Sequence, residues 1–105
     1  MGKIANYQKA VKQFLQDYAA IPPASPTIRY EIIADDVNRR YCLIRYGIKN
    51  QEWTHHCVFH FNITDGKILV LQNWTDLHID EELEVLGVEK QDVVASVEEI
   101  ELTHA

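Results

Sequence analysis

Ile63-Thr64-Asp65-Gly66-Lys67-Ile68 is the stretch that decides the fold. A two-residue type I′ turn needs positive φ at both central positions, and an Asp-Gly pair supplies it. The stretch therefore predicts a tight hairpin, with one strand over Trp53 to Ile63 and the next over Lys67 to Trp74. Working back along the chain, Arg40 to Ile48 is rich in Tyr, Ile and Leu. Before it, Tyr30, Ile32 and Ala34 alternate with Arg29, Glu31, Ile33 and Asp35, the period of a strand. Asp36-Val37-Asn38 and Lys49-Asn50-Gln51 are the turns between these runs. Sequential strands joined by such short connections form an antiparallel meander. Strict alternation in the third strand sends Cys57, Phe59, Phe61 and Ile63 to one face and His56, Val58, His60 and Asn62 to the other. The first set is expected to pack under a helix.

That helix comes first in the chain. Ile4, Tyr7, Val11, Phe14, Leu15 and Tyr18 recur at spacings of three and four, which predicts an amphipathic helix over about residues 4–20. Ile21-Pro22-Pro23-Ala24-Ser25-Pro26 stops it and cannot itself be helical. Beyond the hairpin a second, short helix is expected from Ile79 to Leu86. Thr75 or Asp76 would cap it, Asp80, Glu81 and Glu82 sit in its first turn, and Gly87 stands at C′. Val93 to Val97 is β-branched and predicts a last strand, and residues after Leu102 are expected to fray. The fold class is α+β: one domain over residues 1–105, an N-terminal helix packed on an antiparallel β-meander of four or five strands, and a second short helix near the C-terminus.

Composition narrows the function classes. The chain has 105 residues and a formal net charge of -6. Residues 1–60 carry eight Lys and Arg against five Asp and Glu, a net +3; residues 61–105 carry two against eleven, a net -9. A DNA-binding domain usually shows a basic face. Only Arg29, Arg39, Arg40, Arg45 and Lys49 could build one here, and the acidic half opposes it. The charge pattern favours a protein partner. Cys42 and Cys57 make no disulfide framework and read as free thiols of a cytoplasmic protein. Lys3, Lys9 and Lys12 break any signal peptide, and no stretch is long enough to span a membrane.

Four constellations bear on chemistry. His55-His56-Cys57 with His60 contains zinc-ligand types, but a tetrahedral site needs four converging ligands. On a regular strand His56 and His60 share a face about 13 Å apart, so these read as strand residues and no metal or cofactor is expected. Asp35-Asp36 pairs two carboxylates at a strand end, where Asp is a favoured turn residue. Cys57 with a histidine lacks an orienting third group or an oxyanion loop, so no catalytic residue is assigned. Trp53 and Trp74 at strand ends, and the acidic run Asp80, Glu81, Glu84, are candidates for partner contact, together with His56 and His60.

The order of these signals resembles the XisI family, the fdxN element excision controlling factors of cyanobacteria. The matching stretches are Tyr30-Glu31-Ile32-Ile33-Ala34-Asp35-Asp36, Asn38-Arg39-Arg40-Tyr41 with Leu43 and Gly47, and His55-His56-Cys57-Val58-Phe59-His60. Ile63-Thr64-Asp65-Gly66-Lys67-Ile68, Thr75-Asp76, Glu82-Leu83, Gly87-Val88-Glu89-Lys90 and Asp92-Val93-Val94 complete them. The chain departs from the family pattern at Ile48, Leu69, Asn73 to Asp76 and Glu89. The resemblance implies a non-enzymatic accessory factor in programmed, site-specific DNA excision during heterocyst differentiation. It would act alongside a recombinase and through an XisH-like protein. Two alternatives are direct DNA binding through Arg29, Arg39, Arg40 and Arg45, and a small metal-binding or hydrolytic domain using His56, His60 and Cys57. The edges of a meander also allow a homo-oligomer.

Overall fold

A computed structural model describes residues 2–95 of the chain. Helix α1 runs over Lys3–Ala19. Its buried residues are Tyr7, Ala10, Val11, Phe14 and Leu15, the expected three-and-four stripe. It ends where the Ala20 amide bonds the Gln16 carbonyl, ahead of Pro22 and Pro23, which cannot continue a helix. Four antiparallel strands follow: β1 (Ile28–Asp35), β2 (Arg40–Lys49), β3 (Glu52–Thr64) and β4 (Lys67–Asn73). The chain then forms α2 (Ile79–Glu84), a 3-10 turn at Lys90–Asp92, and β5 (Val93–Val94). Strand β5 adds to β4 in parallel, giving the sheet order β1-β2-β3-β4-β5. The expected last strand is thus present at Val93 and Val94, and parallel because α2 intervenes as a crossover. The strand stops short of Ala95, and residues 96 and 97 of its expected course and the fraying after Leu102 lie outside the described residues.

The Asp65-Gly66 hairpin has positive φ at both residues, 52° and 73°. Asn50 and Gln51 share that geometry at 53° and 68°, so the turn between β2 and β3 is of the same two-residue kind. Gly47, inside β2, answers a different need. A Cβ there would lie 2.2 Å from the carbonyl oxygen of Thr27, so the proline-rich segment before β1 can approach only a glycine. Thr27 Oγ1 then donates to the Ile48 carbonyl.

Helix α1 covers one face of the sheet. Phe14 meets Phe59 and Phe61 with ring centroids 5.1 and 6.0 Å apart, and Tyr18 meets Phe59 edge-on at 4.9 Å. Tyr41, Leu43, Ile63, Ile68 and Val70 complete this core with Ile79, Leu83 and Val88 from the α2 region. Directly opposed residues on paired strands share a face. Leu43 stands opposite Phe59, but Ile44 stands opposite Cys57, so Val58 is a bulge with no counterpart. Leu71 is a second bulge, between the pairs Phe61–Val70 and His60–Gln72.

The Val58 bulge corrects the expected phase of β3. The extra residue inverts the alternation on its N-terminal side, so Cys57 lies on the outer face with Ile44 and not under the helix with Phe59. By the same inversion His56 turns to the helix side while His60 stays outside, and the two do not share a face. Val58 itself is buried in the helix-side core.

The C-terminal elements are clamped at both ends. At Gly87, φ is 98°, the Val88 amide bonds the Leu83 carbonyl, and the Gly87 amide bonds the Glu84 carbonyl. This is a Schellman closure of α2 with glycine at C′, as expected. The N-cap is His78 without a side-chain cap, not Thr75 or Asp76. Thr75 is used one loop earlier, accepting from the Leu77 amide while its own amide donates to Asn73 Oδ1. Further on, buried Asp92 accepts from Tyr7 Oη at 2.6 Å and pairs with Lys3 Nζ at 2.7 Å. This ties the 3-10 turn to the first turns of α1.

Candidate functional site

The two carboxylates of the first turn are occupied by structure. Asp35 accepts from the amides of Val37 and Asn38 and from the Asn38 side chain. Asp36 pairs with Lys12 at 2.8 Å and accepts from Tyr41 Oη at 2.7 Å. Both carboxyls are held below their ordinary range, Asp35 by Asn38 and Asp36 by Lys12 and Tyr41. Burial, aided by the bond to Asp36, pushes the Tyr41 hydroxyl up to about 12. These groups pin the β1–β2 turn to α1.

The bulge gathers Cys42, Cys57 and His60 on the outer face. Burial pushes both thiols above their ordinary value, which makes them poorer nucleophiles at neutral pH. Burial also lowers the pKa of His60. With its amide turned to suit its neighbours, Asn62 accepts from Arg40 and donates to His60. Among the described residues, no group of three or more His, Cys, Asp or Glu is arranged to hold a metal ion.

The four arginines do not meet. Arg29 and Arg40 lie at opposite ends of the β1–β2 ladder, roughly 20 Å apart along the strands. Arg39 sits in the turn with φ 59°. Arg45 points to the helix side between Tyr30 and His56, and its buried Nε has no hydrogen-bond partner among the described residues. The tryptophans also separate. Trp53 lies on the outer face beside Tyr46 and His55, together with Ile48 and Ile33; their exposures are 66% for Trp53, 54% for Ile48 and 47% for Ile33. Toward β4 the outer face closes, with Leu69, Asn62 and Val94 buried. Trp74 packs against His56 on the helix side, the rings tilted by 48° with centroids 4.5 Å apart, and its amide donates to the carbonyl of the bulge residue Val58.

Beside Thr75 runs a groove of about 480 Å³ between the end of α1 and α2. Phe14, Tyr18 and Ile21 form one wall; Leu77, Val85 and Leu86 form the other. Asp17 and Glu82 are its charged lining residues. Of the expected acidic residues, Asp80 and Glu81 face Lys90 at 4.0 and 3.6 Å, and Glu84 is exposed. Sequence reasoning missed this groove. Phe14 and Tyr18 belong to the three-and-four stripe of α1, which reads as core. The remaining signal was Ile21 in a proline segment and Val85 in an acidic run. No helix among the described residues is long and apolar enough to cross a membrane.

A family model described as XisI protein matches residues 1–104. Among solved structures, an XisI-like protein from Anabaena variabilis ATCC 29413 is similar at 34% identity and a TM-score of 0.79. The match covers 88% of this chain and 84% of that one. The fdxN element excision controlling factor XisI of the same organism shares the fold at 21% identity and a TM-score of 0.73, covering 90% of this chain and 86% of that one. Among curated proteins none matches.

Proposed function

This chain belongs to the XisI protein family, and on that premise we propose that it is an accessory factor in the control of programmed, site-specific DNA excision. In this reading it is cytoplasmic and non-enzymatic, and it works by binding an XisH-like protein beside a recombinase. The excision-control role is carried over from the name of the family member solved from Anabaena variabilis. The observation that carries the binding mode is the distribution of exposed apolar side chains. Trp53, Ile48 and Ile33 on one side of the sheet, and Ile21, Trp74 and Val85 on the other, stand in water. Trp53 lies directly opposite Ile48 on the sheet, and Ile21 and Val85 line one groove; large apolar groups paired at a surface in this way are what a protein partner covers. The scattering of Arg29, Arg39, Arg40 and Arg45 weighs against a nucleic-acid groove, which needs cations in register with phosphates. Among the described residues β1 is an edge of the sheet, the place where a second copy would add.

Co-expression of the tagged chain with an XisH-like protein tests this reading. The expected result is a complex that stays together through affinity and size-exclusion steps. Separate elution of the two proteins would overturn it.

A further inference from the structure

We propose that the groove between α1 and α2 is the docking site for an amphipathic helix of the partner, one with an apolar face flanked by Lys or Arg. This deepens the partner reading above and rests on it for the identity of the protein that brings the helix. Three observations on the chain itself carry the assignment.

The first is shape. Phe14 and Tyr18 are four residues apart on one face of α1 and Ile21 stands in the bend just after it, so together they form one wall along the end of α1. Phe14 and Tyr18 are one turn apart, roughly 6 Å of helix rise, and Ile21 lengthens the wall from just past the helix end, where its amide bonds the Tyr18 carbonyl. A partner helix would seat two or three side chains at i, i+3 or i+4 and i+7, the usual anchors of helix-in-groove recognition. The volume of about 480 Å³ accommodates them.

The second is the state of the rims. Val85 is 84% exposed and Ile21 61% exposed, on opposite walls of the same groove. Neither contributes to the core, so each is left with apolar surface in water. A helix lying between them would cover both.

The third is charge. The charged lining residues are Asp17 and Glu82, and no Lys, Arg or His lines the groove among the described residues. Asp17 accepts one bond from Gln13, and Glu82 makes no ion pair among the described residues. Glu84 adds a further negative charge on the exposed side of α2. Two carboxylates on opposite walls of an apolar channel complement a helix whose apolar stripe is bordered by cations. They repel one bordered by Asp or Glu.

The test uses the full chain and two synthetic helices with the same leucine stripe, one bordered by lysines and one by glutamates. Binding is followed by amide chemical shifts and by fluorescence anisotropy. The lysine-bordered helix is expected to bind with shifts at Phe14, Tyr18, Leu77 and Leu86, and the glutamate-bordered helix is expected not to bind. Val85→Asn and Ile21→Asn, both at exposed positions that should leave folding intact, should each weaken the lysine-bordered helix about tenfold. Glu82→Lys should reverse the preference between the two helices. Equal binding of both helices, shifts confined to the outer sheet face, or no effect of Val85→Asn would overturn the groove assignment. Parallel titration with an XisH-like protein separates this from the partner reading. If that protein binds wild type and Val85→Asn alike, the groove falls and the partner reading stands. If it binds neither while the lysine-bordered helix still enters the groove, the partner reading falls and the groove stands.

Discussion

The helix-facing and outer faces of the sheet are made from the same five strands and reach opposite ends. On the first, Tyr41, Leu43, Phe59 and Phe61 are fully buried under α1. On the second, Ile33, Ile48 and Trp53 are open to water. One inserted residue decides how β3 is shared between them. C-terminal to Val58 the strand gives its aromatic residues to the core. N-terminal to it the same strand turns Cys57 outward and His56 inward. The difference teaches that side-chain destiny here depends on where the ladder slips as well as on which residue is apolar.

If the helix side holds the fold, damage there should dominate. Phe59→Ala removes a ring packed against Phe14, Tyr18 and Phe61 and should cost about 4 kcal/mol in urea unfolding. Trp53→Ala on the outer face should cost less than about 0.5 kcal/mol in the isolated chain. Comparable losses would erase the contrast between the faces. Gly47→Ala comes next. Its methyl would collide with the Thr27 carbonyl, and the cost should be about 2–3 kcal/mol, read from the same unfolding curves.

Asp92→Asn probes the clamp that closes the C-terminal elements onto the helix side. It replaces the buried carboxylate bonded to Lys3 and Tyr7, and should cost about 2 kcal/mol at neutral pH. The pH dependence follows in sign. The bonds to Lys3 and then Tyr7 hold the Asp92 carboxyl below its ordinary value in the fold. Such a group contributes stability above its unfolded pKa of about 3.9 and loses it as the pH falls through the lower folded value. Wild type should therefore lose stability between pH 7 and pH 3 more steeply than Asp92→Asn. Asp35 and Asp36, also held low, supply a slope common to both proteins. Smallest is Gly66→Ala, at about 1 kcal/mol, because alanine resists the 73° φ of the hairpin turn.

Much of this molecule is legible in its sequence, and the limits have physical causes. The Asp-Gly pair, the three-and-four stripe of α1 and the proline stop are local signals, and each placed its element within a residue or two. Gly87 likewise marked the end of α2, because only a left-handed residue closes that helix without strain. The bulge at Val58 left no local mark. Valine is an ordinary strand residue, and the slip is set by how β2, β3 and β4 pair. Strict alternation therefore misplaced Cys57 and His56. The groove was hidden for a related reason. Phe14 and Tyr18 serve both the core and a surface wall, and a helical period cannot distinguish those roles. Trp53 and Trp74 look equivalent as strand-end tryptophans, yet the sheet puts them on opposite faces.

The most direct measurement is hydrogen–deuterium exchange of the chain with and without the XisH-like protein. A helix seated between α1 and α2 predicts protection over residues 14–21 and 75–88 with residues 29–33 of the edge strand β1 unchanged. Protection confined to residues 29–33 and 46–55 would contradict it and move the contact to the open face of the sheet.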